Sequence, residues 1–378
     1  MHIAFLTPEY PHAKVAKTGG IGTSIKNLAE GLMQQQHRVS IFVFGQKKDD
    51  IFVDSGITVH LIKTRKFKYL GWYFQRKLIQ RYLNKYIVET SINAVEAPDW
   101  TGITAFMSLK CPIVIRCHGT DAYFCKLEQR TQKKKNYVLE RRALHNANHV
   151  ISVSQFNAQE TTSIFKLKKE IRIIHNGIDT NHFKPQNTID KGTILYFGTL
   201  IRKKGVLELP HILNTVTSQF PEMTFRVAGN DTLDNQTQKS TKSLMLEQMS
   251  DTLKGNTTWL GALPYSAIKA EIAKAHCIVL PSFAEAFPMT WLESMAMEKA
   301  MVTSNIGWAN ELMLDENTGY TVHPKDHELF AGRILKLLND ADLRERLGKS
   351  ARQRVKKLFS SQVITKQNID FYSRIIKT

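Results

Sequence analysis

Cysteine is scarce in this chain: Cys111, Cys117, Cys125 and Cys277 are the four present, and no two are spaced C-x-x-C. That spacing argues against zinc and dithiol motifs. Cys111 and Cys277 lie in or beside apolar runs, so the thiols are expected to be reduced and mostly buried. Long apolar runs are missing too. No stretch approaches the ~18 consecutive apolar residues that a membrane-spanning helix needs. The opening run, Met1–Pro8, is too short for a signal peptide and leads straight into a strand, so a cytoplasmic protein is expected. Negative charge is sparse, with 34 Asp/Glu against 52 Lys/Arg and a net charge of +18. The imbalance is uneven. Residues 1–180 hold 27 Lys/Arg and 14 Asp/Glu, a net +13, which leaves +5 for the rest. An anionic partner is therefore expected for the first half.

Apolar residues make up 42% of the 378, enough for packed cores in two domains. Short, continuously apolar runs rich in Val and Ile read as strands buried on both faces: His2–Leu6, Val39–Phe44, Thr58–Leu61, Asn93–Glu96, Ile113–Cys117, His149–Val153 and Ile171–Ile174. Helically spaced patterns such as Ile25-Leu28-Ala29-Leu32 lie between them. The second half repeats the plan at Thr193–Phe197, Thr224–Ala228, Thr258–Leu260, Cys277–Leu280, Ala300–Thr303 and Gly319–Val322. Strands alternating with helices predict an α/β protein of two Rossmann-like, doubly wound parallel-sheet domains. The polar stretch Asn181–Gly192 is the expected linker, giving domains at 1–180 and 181–360 and a last helix at 361–378. Ligands of such sheets bind at the carboxyl ends of strands, so the site is expected in a cleft the domains face across.

Residues 281–298 carry the densest chemistry. The strand Cys277–Leu280 ends at Pro281 and Ser282, a loop bearing Glu285 follows, and Pro288 stands where a helix begins. The first amides of that helix, at Met289 and Thr290, face the mouth of the sheet with the positive end of the helix dipole behind them, which suits a phosphate. Glu285 and Glu293 flank this end. A carboxylate accepts two hydrogen bonds, and two of them beside a phosphate pocket suit a ribose, a diphosphate and a hexose. Elsewhere, Thr18-Gly19-Gly20-Ile21-Gly22 sits between a strand and a helix, where glycine lets the backbone approach a charged ligand. It is nearly a dinucleotide fingerprint, but the third glycine is absent. His118 follows a strand end, and Asp121 either orients it or caps a helix. Lys204, just before Gly205 and after a strand, is a cation placed to meet a diphosphate.

Ser282-x-x-Glu285-Ala286-Phe287-Pro288-x-x-x-x-Glu293-Ser294-Met295-Ala296 resembles the E-x7-E signature of retaining glycosyltransferases of family 4, which have the GT-B fold. His175-Asn176-Gly177-Ile178-Asp179, Gly198-Thr199-Leu200-Ile201-Arg202-Lys203-Lys204-Gly205, His118-Gly119-Thr120-Asp121 and Thr18-Gly19-Gly20-Ile21 look like its other motifs, in the family's order. The resemblance implies metal-independent transfer of a hexose-type sugar from a nucleotide diphosphate sugar, uridine being the commonest base, to an acceptor hydroxyl, with retention at the anomeric carbon. It places His118 beside the donor sugar and Gly19 and Gly20 near diphosphate and acceptor. Glu285 would hold sugar hydroxyls, helped by backbone amides near Phe287 and Met289. Glu293 would hold the ribose diol, and the Met289–Thr290 amides, Lys204 and Arg202 the diphosphate. The family often has Arg where this chain has Thr199, and Arg202 is the expected substitute. By the same resemblance the last helix crosses back to the first domain. Gly177 is expected to take positive φ and Asp179 to cap the next turn. Asp99, in Pro98-Asp99-Trp100, is a candidate either for an acceptor hydroxyl or for a helix cap. Asp340-Ala341-Asp342 is formally D-x-D, the metal signature of another glycosyltransferase fold, but it precedes a helical run and reads as a cap. No metal or cofactor is expected.

Lys63–Lys85 has eight Lys/Arg, no Asp/Glu, and interleaved Phe67, Tyr69, Leu70, Trp72, Tyr73, Phe74 and Tyr82. A second basic group runs Lys126–Arg142. Both suit docking on the anionic cytoplasmic face of a membrane, where a lipid-linked or surface-polysaccharide acceptor would be met; a solvated basic helix is the alternative. Three rivals differ in class. A nucleotide-sugar epimerase or hydrolase lacks a reason for the aromatic basic surface. An oxidoreductase is disfavoured by the missing glycine. A nucleic-acid-binding protein would explain the charge, but no stacking-aromatic module is visible, so no nucleic acid is expected.

Overall fold

The computed structural model describes residues 1–186 and 188–377; the expected linker includes Asn187, outside the described residues. The chain divides into two compact units, Met1–Gly177 with Ser360–Thr378, and Ile178–Phe359.

The first unit is built on an eight-stranded sheet. Its strands are β1 (His2–Thr7), β2 (Arg38–Gln46), β3 (Asp50–Asp54), β4 (Ile57–Lys63), β5 (Ala94–Pro98), β6 (Ile113–Cys117), β7 (His149–Ser152) and β8 (Ile171–Ile173). They lie in the order β3-β4-β2-β1-β5-β6-β7-β8. All pairings are parallel except β3 with β4. β1, β5 and β6 are buried along their whole length, which is why they read as unbroken apolar runs rather than alternating ones. β3 is the strand the sequence reading missed. It is an edge strand whose Ile51 and Val53 face solvent, and its apolar run is only three residues, Ile51-Phe52-Val53, held between Asp50 and Asp54. Its signal is the turn: Ser55 and Gly56 both have positive φ, +52° and +83°, as a two-residue hairpin requires.

Chain order reverses between β1 and β5, so the loops after these strands open at the switch point of the sheet, where ligands of such folds bind. The helix Ser361–Lys377 packs on this unit. Ile364, Phe371, Tyr372 and Ile375 join Ile25, Leu28 and Leu32 in one core. A buried polar cluster adds specificity. Arg116 makes a bidentate pair with Glu96 at 2.7 and 3.0 Å, Tyr372 donates to Glu96 at 2.6 Å, and Arg116 donates to Asn368 at 2.5 Å. Removing Arg116 or Glu96 leaves the other charge buried and unpaired, at a cost of about 3–5 kcal/mol. Gly177 was expected at positive φ; it is not among the positive-φ glycines. A Cβ there would stand 3.1 Å from Cβ of Ile364, so close packing against the last helix is what this position demands.

The second unit has strands β9 (Thr193–Phe197), β10 (Thr224–Ala228), β11 (Thr257–Gly261), β12 (Cys277–Leu280), β13 (Met301–Ser304) and β14 (Tyr320–Val322). They run parallel in the order β11-β10-β9-β12-β13-β14. The core between this sheet and its helices holds Tyr196, Phe225, Trp291, Trp308 and Phe330, all fully buried. Here the reversal falls between β9 and β12. The loops after those two strands are the Lys204 turn and the Glu285 loop.

Candidate functional site

In the second unit, two loops from neighbouring strands are sewn together. Arg202–Lys204 form a single helical turn, and the carbonyl of Lys203 accepts the amides of Phe283 and Ala284 at 2.8 and 3.2 Å. Gly205 makes this possible. It has φ +69°, and a Cβ there would lie 1.8 Å from the carbonyl oxygen of Pro281. The turn therefore delivers Lys204 to Glu285, with Nζ 3.2 Å from Oε1. Ser282 Oγ donates to the same oxygen at 3.2 Å.

The helix Met289–Ala296 begins after Pro288 with no side-chain cap and no acidic residue in its first turn. Its first amides are not closed off by a capping side chain. Phe287 and Met289 are buried beneath, Phe287 against Phe359 at 5.3 Å between ring centres. Glu293, one turn in, is 4% exposed and accepts from the Tyr265 hydroxyl at 2.9 Å. Burial pushes its carboxyl up to about 7, opposed by that hydrogen bond and by the charge of Lys204. The unit thus brings together Lys204, Glu285, Phe287, Met289, Thr290 and Glu293. Tyr265 was absent from the sequence reading; its only local signal is the Pro264-Tyr265 helix start.

Arg202 is placed differently. Its guanidinium is held bidentate by buried Asp234, with both contacts at 2.8 Å, and Asp234 also accepts from the amide and hydroxyl of Thr237 at 3.0 and 2.9 Å. Arg202 holds that carboxyl well below the ordinary range. At Thr199, where the family often has Arg, the backbone carbonyl accepts the Tyr196 hydroxyl at 3.1 Å. Lys204 is accordingly the cation seated beside the Glu pair.

In the first unit, Gly19 precedes the helix Gly20–Gln34 in extended backbone. The carboxylate of Glu9 lies against this helix start and accepts the Gly22 amide at 2.9 Å; a Cβ on Gly19 would meet it at 2.6 Å. Sequence reasoning missed Glu9, because ten residues separate it from the glycines. His118 follows β6 and is partly buried. Burial, with the Arg116 charge nearby, pushes its imidazole down to about 3, so it is neutral at physiological pH and suited to hydrogen bonding rather than to carrying charge. Asp99 is fully buried, and its two oxygens accept the amides of His118 and Gly119 at 3.0 and 3.2 Å. Thr120 caps the next helix, and Asp121 turns to Arg130 and Asn136. Asp179 accepts the amides of Asn181 and His182, and Asp340 that of Leu343, each as a cap. Among the described residues no cluster of three or more His, Cys, Asp or Glu is placed to hold a metal.

With that geometry in view, the comparisons with known proteins decide the family. Residues 177–354 match the Glycosyl transferases group 1 family and residues 18–182 match Glycosyltransferase Family 4. The chain is a group 1 glycosyltransferase with the GT-B fold. An uncharacterised glycosyltransferase of Methanocaldococcus jannaschii is 25% identical over 395 residues, covering 98% of both chains. The sucrose-phosphate synthase structure from Thermosynechococcus elongatus matches the fold with a TM-score of 0.83 at 20% identity, over 100% of this chain and 99% of that one. The Anabaena protein HepE, solved in complex with UDP-glucose, matches with a TM-score of 0.75 at 19% identity, over 99% and 100%.

Proposed function

We propose that this glycosyltransferase moves a hexose-type sugar, with retention and without a metal, from a uridine diphosphate sugar to a hydroxyl of a lipid-linked or surface-polysaccharide precursor. The observation that carries the reading is the uncapped start of the Met289–Ala296 helix with Lys204, Glu285 and Glu293 gathered around it. Helix-start amides without a side-chain cap and one cation suit a diphosphate, and a carboxylate on either side suits diols. In this reading Glu293 takes the ribose diol and Glu285 the hexose hydroxyls. The Lys204–Glu285 pair opens as Lys204 turns to the diphosphate. Holding the departing charge in place lowers the barrier to breaking the glycosidic bond. The oxyanion that leaves is itself the base for the acceptor proton in a front-face displacement, so no protein nucleophile is required. His118, neutral, serves as a hydrogen-bonding partner for a sugar hydroxyl. Uridine follows from its frequency in the family and from the UDP-glucose complex of a protein with the same fold.

The anionic, lipid-borne acceptor is supported by a surface of the first unit. Phe67, Tyr69, Leu70 and Phe74 are 38%, 72%, 59% and 44% exposed and stand among Lys63, Lys66 and Lys68, while Arg65 pairs with Asp49 at 2.7 Å. Each cation near an anionic headgroup layer contributes about 1 kcal/mol. Not every expected cation belongs to this face: Arg76 turns inward to the carbonyls of Trp72, Thr101 and Gly102. In the second basic group Lys126 pairs with Glu160, and Arg130 with Asp121 and Glu128, which leaves that group less available. No described helix is long and apolar enough to cross a membrane.

A thermal-shift series with UDP, GDP, ADP and their sugars, in chelator, tests the donor. At a hundredfold excess over Kd the expected stabilisation is about 2.7 kcal/mol, for UDP and its sugar. A shift with GDP or ADP alone would replace the base, and a shift with none would overturn the site. Sedimentation with anionic vesicles at low salt tests the acceptor side. A protein that stays in the supernatant removes the membrane from the reading.

A further inference from the structure

Two loops leave the sheet of the first unit side by side, one after β5 and one after β6, and the second carries His118. Both are bent in ways that do not hold themselves. Thr101 has φ +55°, which costs a non-glycine residue about 1–3 kcal/mol. Gly102 has φ +56°, and a Cβ there would stand 2.3 Å from the Leu139 carbonyl oxygen; Gly119 has φ +98°. Asp99 bridges the loops at one end by accepting the amides of His118 and Gly119. A second carboxylate, from the helix Lys134–Asn146, bridges them at the other end. Glu140 is fully buried. Its Oε1 accepts the amides of Thr101 at 3.1 Å and Asp121 at 2.8 Å; its Oε2 accepts the amide of Ala122 at 3.2 Å and Nε2 of Gln132 at 2.9 Å.

We propose that Glu140 is a positioning residue for His118: it ties the Thr101 turn to the Asp121–Ala122 turn, so that the intervening loop presents the imidazole in one orientation. All four of its partners donate from uncharged amides. Burial pushes its carboxyl up to about 7, opposed by these same hydrogen bonds; ionised, it offers four acceptor sites and no donor, which fits that set. No neutral side chain does so. Glutamine would aim an NH2 group at two of the amides, and alanine would leave buried donors unpaired at about 1–3 kcal/mol each. A carboxylate kept in the interior without a cation is costly unless its hydrogen bonds are complete. Completing both turns at once is what it returns here. The inference rests on the transfer reading only for its effect on turnover.

The test is Glu140→Gln in the full chain, read in two ways. In NMR, the His118 ring signal, assigned by its loss in His118→Ala, is expected to shift or broaden, while the His60 and His276 rings stay put. In kinetics, turnover with a nucleotide sugar is expected to fall about 10- to 100-fold, with the donor KM nearly unchanged. In His118→Ala the same substitution is expected to add no further loss. A His118 ring that does not move, or losses that multiply in the double variant, would overturn the proposal. If Glu140→Gln fails to fold, Asp99→Asn perturbs the other end of the same bridge and is read identically. A ring that moves in a protein showing no transfer or donor hydrolysis would keep the positioning role and discard the transfer reading instead.

Discussion

Asp99 and Glu140 in the first unit, and Glu285 and Glu293 in the second, are four largely covered carboxylates whose lone pairs go to different partners. In the first unit their partners are amide N–H groups, all but one of them from the backbone. In the second, the partners include the ends of flexible side chains: Lys204 and Ser282 for Glu285, and Tyr265 for Glu293. A backbone donor cannot leave without moving the loop. A lysine can turn from a carboxylate to a phosphate at little cost beyond rotamer entropy. The first arrangement suits holding a loop still, the second suits handing a carboxylate over to a ligand. Arg202 belongs with the rigid kind. The Nε–Nη2 edge of its guanidinium is taken by Asp234, and it fastens the 231–240 loop to the Lys204 turn.

The largest expected effect separates ligand-facing carboxylates from structural ones. Glu285→Ala should cut kcat by about 100- to 1000-fold while urea unfolding hardly shifts. Equal losses of stability and turnover would place Glu285 with the rigid pair. Next, Lys204→Met should weaken UDP binding about 10- to 100-fold in calorimetry, consistent with loss of a charge-assisted contact. Arg202→Met should weaken it only a few-fold and lower the melting temperature more. The reverse order would make Arg202 the diphosphate cation.

Glu293 gives a pH signature. Its carboxyl is raised from 4.5 to about 7 in the folded state. Between those values the folded protein keeps a proton the unfolded chain has shed, so this group's contribution to stability falls as pH rises, by about 1.4 kcal/mol per unit at most. The wild type minus Glu293→Gln difference in unfolding free energy should therefore decline from pH 5 to 7. UDP affinity should rise over the same range, because a diol needs the ionised acceptor, and that rise should vanish in the variant. The smallest expected effect is none: EDTA should leave initial rates unchanged, and loss of activity restored by manganese would contradict metal-independent transfer.

Much of this was legible in the chain. Continuous Val/Ile runs mark strands buried on both faces, and alternation with helices marks a parallel sheet, so the α/β plan follows from residue pattern, while the resemblance to the family rests on its motifs. β3 escaped because its apolar run, Ile51-Phe52-Val53, is short and closed by aspartates, as an exposed edge strand allows. Glu9, Glu140, Asp234 and Tyr265 escaped for another reason. Each lies 13 to 39 residues from the group it serves, as Glu9 from Gly22 and Glu140 from Thr101. Nothing local distinguishes such a residue from a solvated charge.

By itself the sequence determined the family, the two sheets and the Glu285–Glu293 stretch, because strand burial, helix starts and a seven-residue gap between carboxylates are properties of neighbours along the chain. Only the tertiary structure decided which cation sits beside Glu285, that Asp99 spends both oxygens on the His118 loop, and that Gly177 serves packing rather than a turn. Those outcomes depend on donors and acceptors brought together from loops far apart in the chain, and buried hydrogen bonds are satisfied in space, not in sequence.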